Sequence, residues 1–460
     1  MRWACTSVTF LMKIIPSFAR RRIANRPNLR KIVENIGWLF FDKILRMGAG
    51  LFVGVWVARY LGPDQFGLLN YATAFTGLFG VIAGLGLQSI VVRDIVRDPD
   101  GAGETLGTTA MLQFFGGLLA YGLILGTFFW LRPDDELGKT LIAILGSVML
   151  FKASEVAVYW FESQVLSKNI VWVQNGCFFI FATIKVLLIL SKAPLIAFAW
   201  AMMAEALAVA LLIVFVLGVR GKSLRRLRAT MARSKELLSD SWPLLLSSVS
   251  IMIYMKIDQI MLGEMVGNEA VGFYTAATKI SEVWYFIPTM IVSSVFPAIL
   301  EAKTRSETQY YQRLQQLYDL MVYLSVVIAL PMTFLSTPIV KLLFGEAYAL
   351  SGTVLAIHIW ASIFVFLGVA SSKWFVAENR QVWSLQRTAL GAVVNVGLNL
   401  LLIPKSGVIG AAIATIVSYA TAALISDFFR QETKQMFYMK VRSMNLVSSY
   451  LRLRSGILRL

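Results

Sequence analysis

Apolar residues run along this chain in blocks long enough to cross a bilayer, rather than alternating as in a half-buried strand. A helix that spans the hydrocarbon core needs about 20 mostly apolar residues. Twelve runs meet that length, at about 35 to 60, 66 to 91, 105 to 131, 139 to 161, 168 to 191, 193 to 219, 238 to 263, 270 to 299, 319 to 345, 350 to 377, 381 to 404 and 406 to 429. The shortest gaps carry chain breakers, such as Gly62-Pro63-Asp64 after the first run and Lys405-Ser406-Gly407 before the last, and links this tight imply antiparallel neighbours. The pattern predicts an all-α integral membrane protein of about twelve transmembrane helices. An apolar patch from Cys5 to Ile15 is too short to span and lacks a small-residue cleavage site, so it is not read as a signal peptide.

Composition narrows the class. Of 460 residues, 57% are hydrophobic and 15% charged, against about 25% charged in an ordinary soluble domain. That deficit excludes a multi-domain soluble enzyme. The net charge of +17 would suit a nucleic-acid partner in a polar protein, but in a chain this apolar the bases belong beside anionic lipid, so no nucleic acid is expected. The two cysteines, Cys5 and Cys177, cannot form a disulfide framework and read as packing residues.

The distribution of bases sets orientation, because cytoplasmic loops are enriched in Lys and Arg. With an even number of spans, the N-terminal tail, the central basic segment, the C-terminal tail and the loops on their side carry 29 bases, and the opposite loops carry six. Both termini are therefore expected in the cytoplasm. The chain also repeats itself weakly. Residues 61 to 72, with Leu61-Gly62-Pro63-Asp64 and Gly67, align with 266 to 277, with Val266-Gly267-Asn268-Glu269 and Gly272; residues 194 to 201 align with 407 to 414. Similar offsets at equivalent runs divide the chain into two pseudo-symmetric six-helix lobes, 35–219 and 238–429. They are joined by a basic cytoplasmic linker, 220–237, and flanked by basic tails, 1–34 and 430–460. A parallel repeat of this kind is a transporter architecture, with a cavity between the lobes near the midplane.

The segment Ala58-Arg59-Tyr60-Leu61-Gly62-Pro63-Asp64-Gln65-Phe66-Gly67, its echo Val271-Gly272-Phe273-Tyr274, and Gly407-Val408-Ile409-Gly410-Ala411-Ala412 closely resemble the O-antigen and oligosaccharide flippases of the multidrug/oligosaccharidyl-lipid/polysaccharide exporter superfamily. The likeness covers about residues 32 to 430. It implies two six-helix bundles and a flippase of the cytoplasmic (inner) membrane, not an enzyme. The implied substrate is the undecaprenyl-diphosphate-linked oligosaccharide repeat unit, moved to the outer leaflet by alternating access for surface polysaccharide biosynthesis. Membrane lipids and polysaccharide assembly proteins are the implied partners.

Charges inside apolar runs are costly, about 2.5 to 3.5 kcal/mol each at a helix centre, and so mark cavities, pairs or snorkelling ends. Asp42 with Arg46 is spaced as a helical pair, as are Lys152 with Glu155 and Lys279 with Glu282. Lys43, Lys185, Lys256 and Arg387 have no such partner; for Lys185 and Lys373, near span ends, snorkelling is expected. Arg387 opens a stripe with Gly391, Asn395 and Asn399 at four-residue spacing, placing a guanidinium and two amides on one helix face. Such a face suits a diphosphate and sugar hydroxyls, since Arg offers paired donors to phosphate oxygens and amides both donate and accept; the bland alternative is that the amides join neighbouring helices. Lys43, Arg46, Lys256, Arg387, Asn395 and Asn399 are the candidate cationic cavity. Asp42, Glu155 and Asp258 are candidates for proton or sodium coupling. No cofactor or structural metal is expected, and His358 reads as a packing residue.

Two rival functions remain open at this point. A multidrug exporter of the same superfamily shares the fold, although a basic cavity would repel apolar cations. A polysaccharide polymerase or ligase would need a large external loop, and the longest here is about Leu131 to Lys139.

Overall fold

The computed structural model describes residues 27–220 and 227–457, with side chains described over 45–220 and 227–454. It is helical throughout, with no strand among the described residues. In chain order the helices are α1 (Pro27–Gly84), α2 (Gln88–Arg97), α3 (Ala102–Leu131), α4 (Glu136–Gly146), α5 (Glu155–Ser163), α6 (Ser167–Leu190), α7 (Leu195–Arg220), α8 (Met231–Met265) and α9 (Asn268–Glu282). They continue as α10 (Phe286–Arg305), α11 (Glu307–Phe344), α12 (Ala349–His358), α13 (Ala361–Ala377), α14 (Gln381–Ala423), α15 (Gln431–Ser443) and α16 (Leu446–Ile457). Short 3-10 segments bridge α4 to α5 and α9 to α10.

Nine helical stretches among the described residues are long and apolar enough to cross a membrane, or ten if Glu346–His358 and Ala361–Ala377, bent by 48°, count as one crossing. Two are far longer than a bilayer needs. Leu45–Arg97 has 53 residues and Gln381–Phe429 has 49; at 1.5 Å per residue each would reach about 75 to 80 Å, more than twice the hydrocarbon thickness. Each is broken by a glycine in a backbone state that L side chains avoid: Gly62 at φ 73°, ψ 172° and Gly407 at φ 53°, ψ −128°. These are the two turns that the sequence marks with Gly-Pro-Asp and Lys-Ser-Gly.

The chain forms two compact units. One contains residues up to Gly54 and Phe79–Leu246, and the other contains Val55–Leu78 and Ser247–Leu460. The first unit has a core in which Leu87, just before α2, and Val91 and Ile95 of α2 meet Val156, Ala157 and Phe161 of α5, with Leu237 of α8. The start of α8 is fixed there by charge: Arg93 pairs with Asp94 and Asp240, and Arg233 pairs with Asp94, all at 2.7 Å. Arg93 and Arg233 thus share one ion-pair network with Asp94. The core of the second unit gathers Val292 and Phe296 of α10, Leu314 to Val322 of α11, Phe366 to Phe375 of α13 and Met436 of α15.

In the second unit the two segments aligned by the sequence repeat meet directly. A Cβ on Gly67 would fall on the Asn268 carbonyl, and a Cβ on Gly272 would fall on the Pro63 carbonyl. Gly67 corresponds to Gly272 and Pro63 to Asn268 in the repeat, so the contact is reciprocal. Only a residue without Cβ allows backbones this close. Nearby, the Tyr348 hydroxyl donates to the Ala58 carbonyl at 2.8 Å, and Arg59 donates to the Leu342 carbonyl at 2.5 Å.

Candidate functional site

The second unit buries a carboxylate among hydroxyls and amides. Asp258, on α8, is 3% exposed. It accepts from the Tyr274 hydroxyl of α9 at 2.8 Å, from Thr415 Oγ1 of α14 at 2.8 Å and from Asn399 Nδ2 of α14 at 2.5 Å. Asn399 also donates to Asn395 Oδ1 at 3.2 Å, and Asn395 donates to Ser418 Oγ at 3.3 Å. Helix α14 supplies both sides of this pocket because it doubles back at Gly407: Asn399 lies eight residues before the break and Thr415 eight residues after it. The arms pack closely, a Cβ on Gly410 falling on the Leu402 carbonyl. No Lys or Arg forms an ion pair with Asp258 among the described residues, and Asn399 Oδ1 is buried without a hydrogen-bond partner. The cluster is therefore one acid, three hydroxyls and two amides in a dry setting, a donor set able to hold either a proton or a small monovalent cation.

Arg387 begins the same face of α14, three turns before Asn399. Its guanidinium donates to Ser371 Oγ at 2.8 Å and to the Gly368 carbonyl at 3.2 Å, and lies 4.6 Å from the Phe375 ring centroid. All three partners are on α13 and all are neutral, and no carboxylate lies within ion-pair distance of it among the described residues. Arg387 is half-buried, so this charge within an apolar helix is held by dipoles and a ring face with part of its surface open. Gly391 fits against Tyr254, which stacks on Tyr419 with centroids 4.4 Å apart. Lys256, also half-buried, makes no hydrogen bond or ion pair among the described residues and lies within electrostatic reach of Glu282.

In the first unit, Arg46 donates to Gln174 Oε1 at 2.7 Å and to Asn175 Oδ1 at 3.0 Å, both on α6. Glu155 pairs with Lys152 at 2.6 Å, as its spacing predicts, and accepts from the Tyr159 hydroxyl at 3.1 Å. Lys185 pairs with Glu205 of the next helix at 2.8 Å, which replaces the expected snorkelling with an ion pair. Lys279 lies over the Phe66 ring at 4.6 Å. The side chains of Asp42 and Lys43 lie outside the described residues.

The structure thus brings Asp258, Asn395 and Asn399 together, with Arg387 further along the same helix. The two amides are fully buried on Asp258 rather than facing open space with Arg387. Tyr274 and Thr415 were not legible as partners: each is unremarkable in its own run, and only the fold of α14 and the α8–α9 turn bring them to the acid. His358 is buried, with Nδ1 3.0 Å from Ser281 Oγ.

This framework is a fold shared with solved multi-pass membrane proteins. It superposes on the lipid II flippase MurJ in an inward closed conformation with a TM-score of 0.71 at 15% identity, covering 91% of this chain and 96% of that one. On an inward-facing multidrug resistance MATE family transporter of the MOP superfamily the TM-score is 0.68 at 17% identity, over 90% and 99% of the two chains. Sequence carries the assignment further. Residues 32–303 match the polysaccharide biosynthesis protein family, to which the chain belongs, and residues 243–401 also match the MatE family. Among curated relatives, a protein of Haloferax volcanii named as a probable low-salt glycan biosynthesis flippase is 23% identical over 395 residues, covering 82% of this chain and 79% of its own length. The chain is a multi-pass membrane protein of the polysaccharide biosynthesis protein family.

Proposed function

We propose that this protein moves undecaprenyl-diphosphate-linked oligosaccharide repeat units from the cytoplasmic to the outer leaflet of the cytoplasmic membrane by alternating access. It crosses the membrane twelve times: the bent pair Glu346–His358 and Ala361–Ala377 makes one crossing, and Leu45–Arg97 and Gln381–Phe429 each turn at their glycine and cross twice. Both termini and the central basic segment face the cytoplasm, in keeping with the 29 to six division of bases. The turns at Gly62 and Gly267 then share the outer side, and their interlock is a closure that export must open.

The observation that carries the substrate class is Arg387, a cation within an apolar helix whose contacts are all neutral and whose surface is partly open. Such a group is suited to clamp a diphosphate that passes through. Arg46 and Lys256 are proposed to add charge along the path, and Lys43 belongs with them by sequence. The Asp258 cluster is proposed as the coupling site: the acid takes up a proton or a sodium ion, with Asn399 Oδ1 the spare ligand. Membrane levels and surface glycan measured together test the assignment. Replacing Arg387 by Ala should abolish glycan display at a normal level of protein, and Lys should restore it partly, because an ammonium lacks the paired fork. Full display with Arg387→Gln would remove the electrostatic role. The MATE likeness keeps drug export as the competing reading; resistance lost on deletion with unchanged glycan would favour it.

A further inference from the structure

The C-terminal region, which by sequence reads as a basic tail, is a pair of docked helices turned inside out. On α16, the inward face is polar. Ser449 is fully buried, and Arg452 forms a two-pronged pair with Asp319 of α11, at 2.7 and 2.8 Å. Gln315 of α11 donates to Asp319 at 2.9 Å, to the Met439 carbonyl at 3.0 Å and to Ser443 Oγ at 2.8 Å, so α15 is tied to the same spot. The outward face carries Val447, Tyr450 and Leu451, which are 74%, 50% and 57% exposed, at helical spacing, and ends on exposed Arg454. A helix bathed in water is built the other way round.

The position along α11 says what surrounds that face. Glu307–Phe344 is 38 residues long, and its charge-free stretch is 320 to 340, about the length of one crossing. Asp319 stands at the edge of that stretch, and Tyr323, one turn inside it, has its ring 6.4 Å from that of Tyr450. The Arg452–Asp319 clamp therefore holds α16 at the level where hydrocarbon gives way to headgroups. With 12 residues, α16 is too short to span and lies along the interface. Beside it, Gln315, Lys434, Gln435, Tyr438, Met439 and Arg442 line a cavity of about 380 Å³. Neither Lys434 nor Arg442 has an ion-pair partner among the described residues. Lys434 lies 5.3 Å from the Phe428 ring, and Arg442 is exposed.

We infer that this corner is a binding site for one anionic phospholipid. Its phosphate sits between Lys434 and Arg442, and its acyl chains lie along Val447, Tyr450 and Leu451. The inference goes beyond substrate transport and does not depend on which substrate is carried. The ligand is a lipid rather than a free phosphate because α16, joined to this cavity's wall by Arg452 donating to the Arg442 carbonyl at 3.1 Å, turns an apolar stripe outward that a soluble anion would leave unused.

The test uses the full chain in detergent, titrated with phosphatidylglycerol and phosphatidylcholine and read by native mass spectrometry. Phosphatidylglycerol should bind roughly tenfold more tightly or better, since each surface cation adds attraction to anionic lipid. The Lys434→Gln, Arg442→Gln double variant should bring the two lipids level while keeping the wild-type melting temperature. Inorganic phosphate and glycerol phosphate at the lipid's concentration should not compete. Independently, spin labels at Val447→Cys and Tyr450→Cys, with Cys5 and Cys177 replaced by Ser, should meet oxygen more often than a water-soluble nickel reagent in mixed-lipid vesicles. Equal affinity for the two lipids in the wild type, or competition by inorganic phosphate, would overturn the inference. So would water-exposed labels, or dipolar broadening between copies, which would mean that a second chain covers the face.

Discussion

Asp258 illustrates how much one side chain can decide. A carboxylate buried without a cationic partner is expensive, yet here three donors from α9 and α14 converge on it, with Asn395 and Ser418 bonded behind them. Asparagine has nearly the same shape and can accept from Tyr274 and Thr415, but it can neither carry a proton nor charge-balance a cation. Asp258→Asn is therefore expected to fold, with a melting temperature within a few degrees of wild type, and to lose at least tenfold of its gradient-driven transport. Transport assayed in vesicles with imposed sodium or proton gradients checks this, and an undiminished gradient response would remove Asp258 from coupling. At this scale the sequence is half legible. A charge in an apolar run announces itself, so Asp258, Arg46, Lys256 and Arg387 all stand out. Their partners do not, because Tyr274 and Thr415 lie 16 and 157 residues from Asp258 and no local spacing links them. The amides Asn395 and Asn399 were legible as a face, but which neighbour that face meets is set by the reversal at Gly407.

The elements show the same division. Runs of apolar residues of spanning length fall on helical stretches of the structure, because a bilayer selects length and hydrophobicity, which any window of sequence reveals, but the breaks inside them, at 85–87 in the run 66 to 91 and at 359–360 in the run 350 to 377, were not marked. The turns at Gly62 and Gly407 were legible from their breakers. Helices α15 and α16 were not: with bases on a short segment they look like a solvated tail, and the inverted pattern of α16 has meaning only once Asp319 is seen beneath it. Lys440 of α15 belongs to the same lesson. It is fully buried on Asp427 and the Ala423 carbonyl, at 2.5 and 2.6 Å, where burial pushes its ammonium down and the Asp427 carboxylate pulls it back up. The reciprocal glycine contact gives an element-level prediction. Adding a Cβ at Gly67 or Gly272 forces two backbones apart, at a cost of about 1 to 3 kcal/mol, and each Ala variant should melt several degrees lower. Gly122 and Gly397, helical and with nothing within 4 Å of an added Cβ, provide the control: Ala there should leave the melting temperature unchanged or slightly raised. Equal effects at all four positions would show that the contact carries no stability.

For the molecule as a whole, the proposed topology has twelve crossings and places three basic segments on the cytoplasmic side. Single cysteines at Arg228 and Arg442 should then be shielded from a membrane-impermeant thiol reagent in intact cells, and one at Asp64 should react. Labelling of Arg228→Cys from outside would break the alternation on which the two-lobe reading depends. Transport itself is tested most directly by purified protein in proteoliposomes containing a fluorescent undecaprenyl-diphosphate-linked oligosaccharide, with lipid on the outer face removed by an added glycosidase or quencher. The account predicts that wild-type protein exposes the inner pool within minutes, that Arg387→Gln slows this at least tenfold, and that an uncharged fluorescent phospholipid is not moved. Protection of the inner pool at the level of protein-free liposomes, with an imposed sodium or proton gradient present, would contradict it.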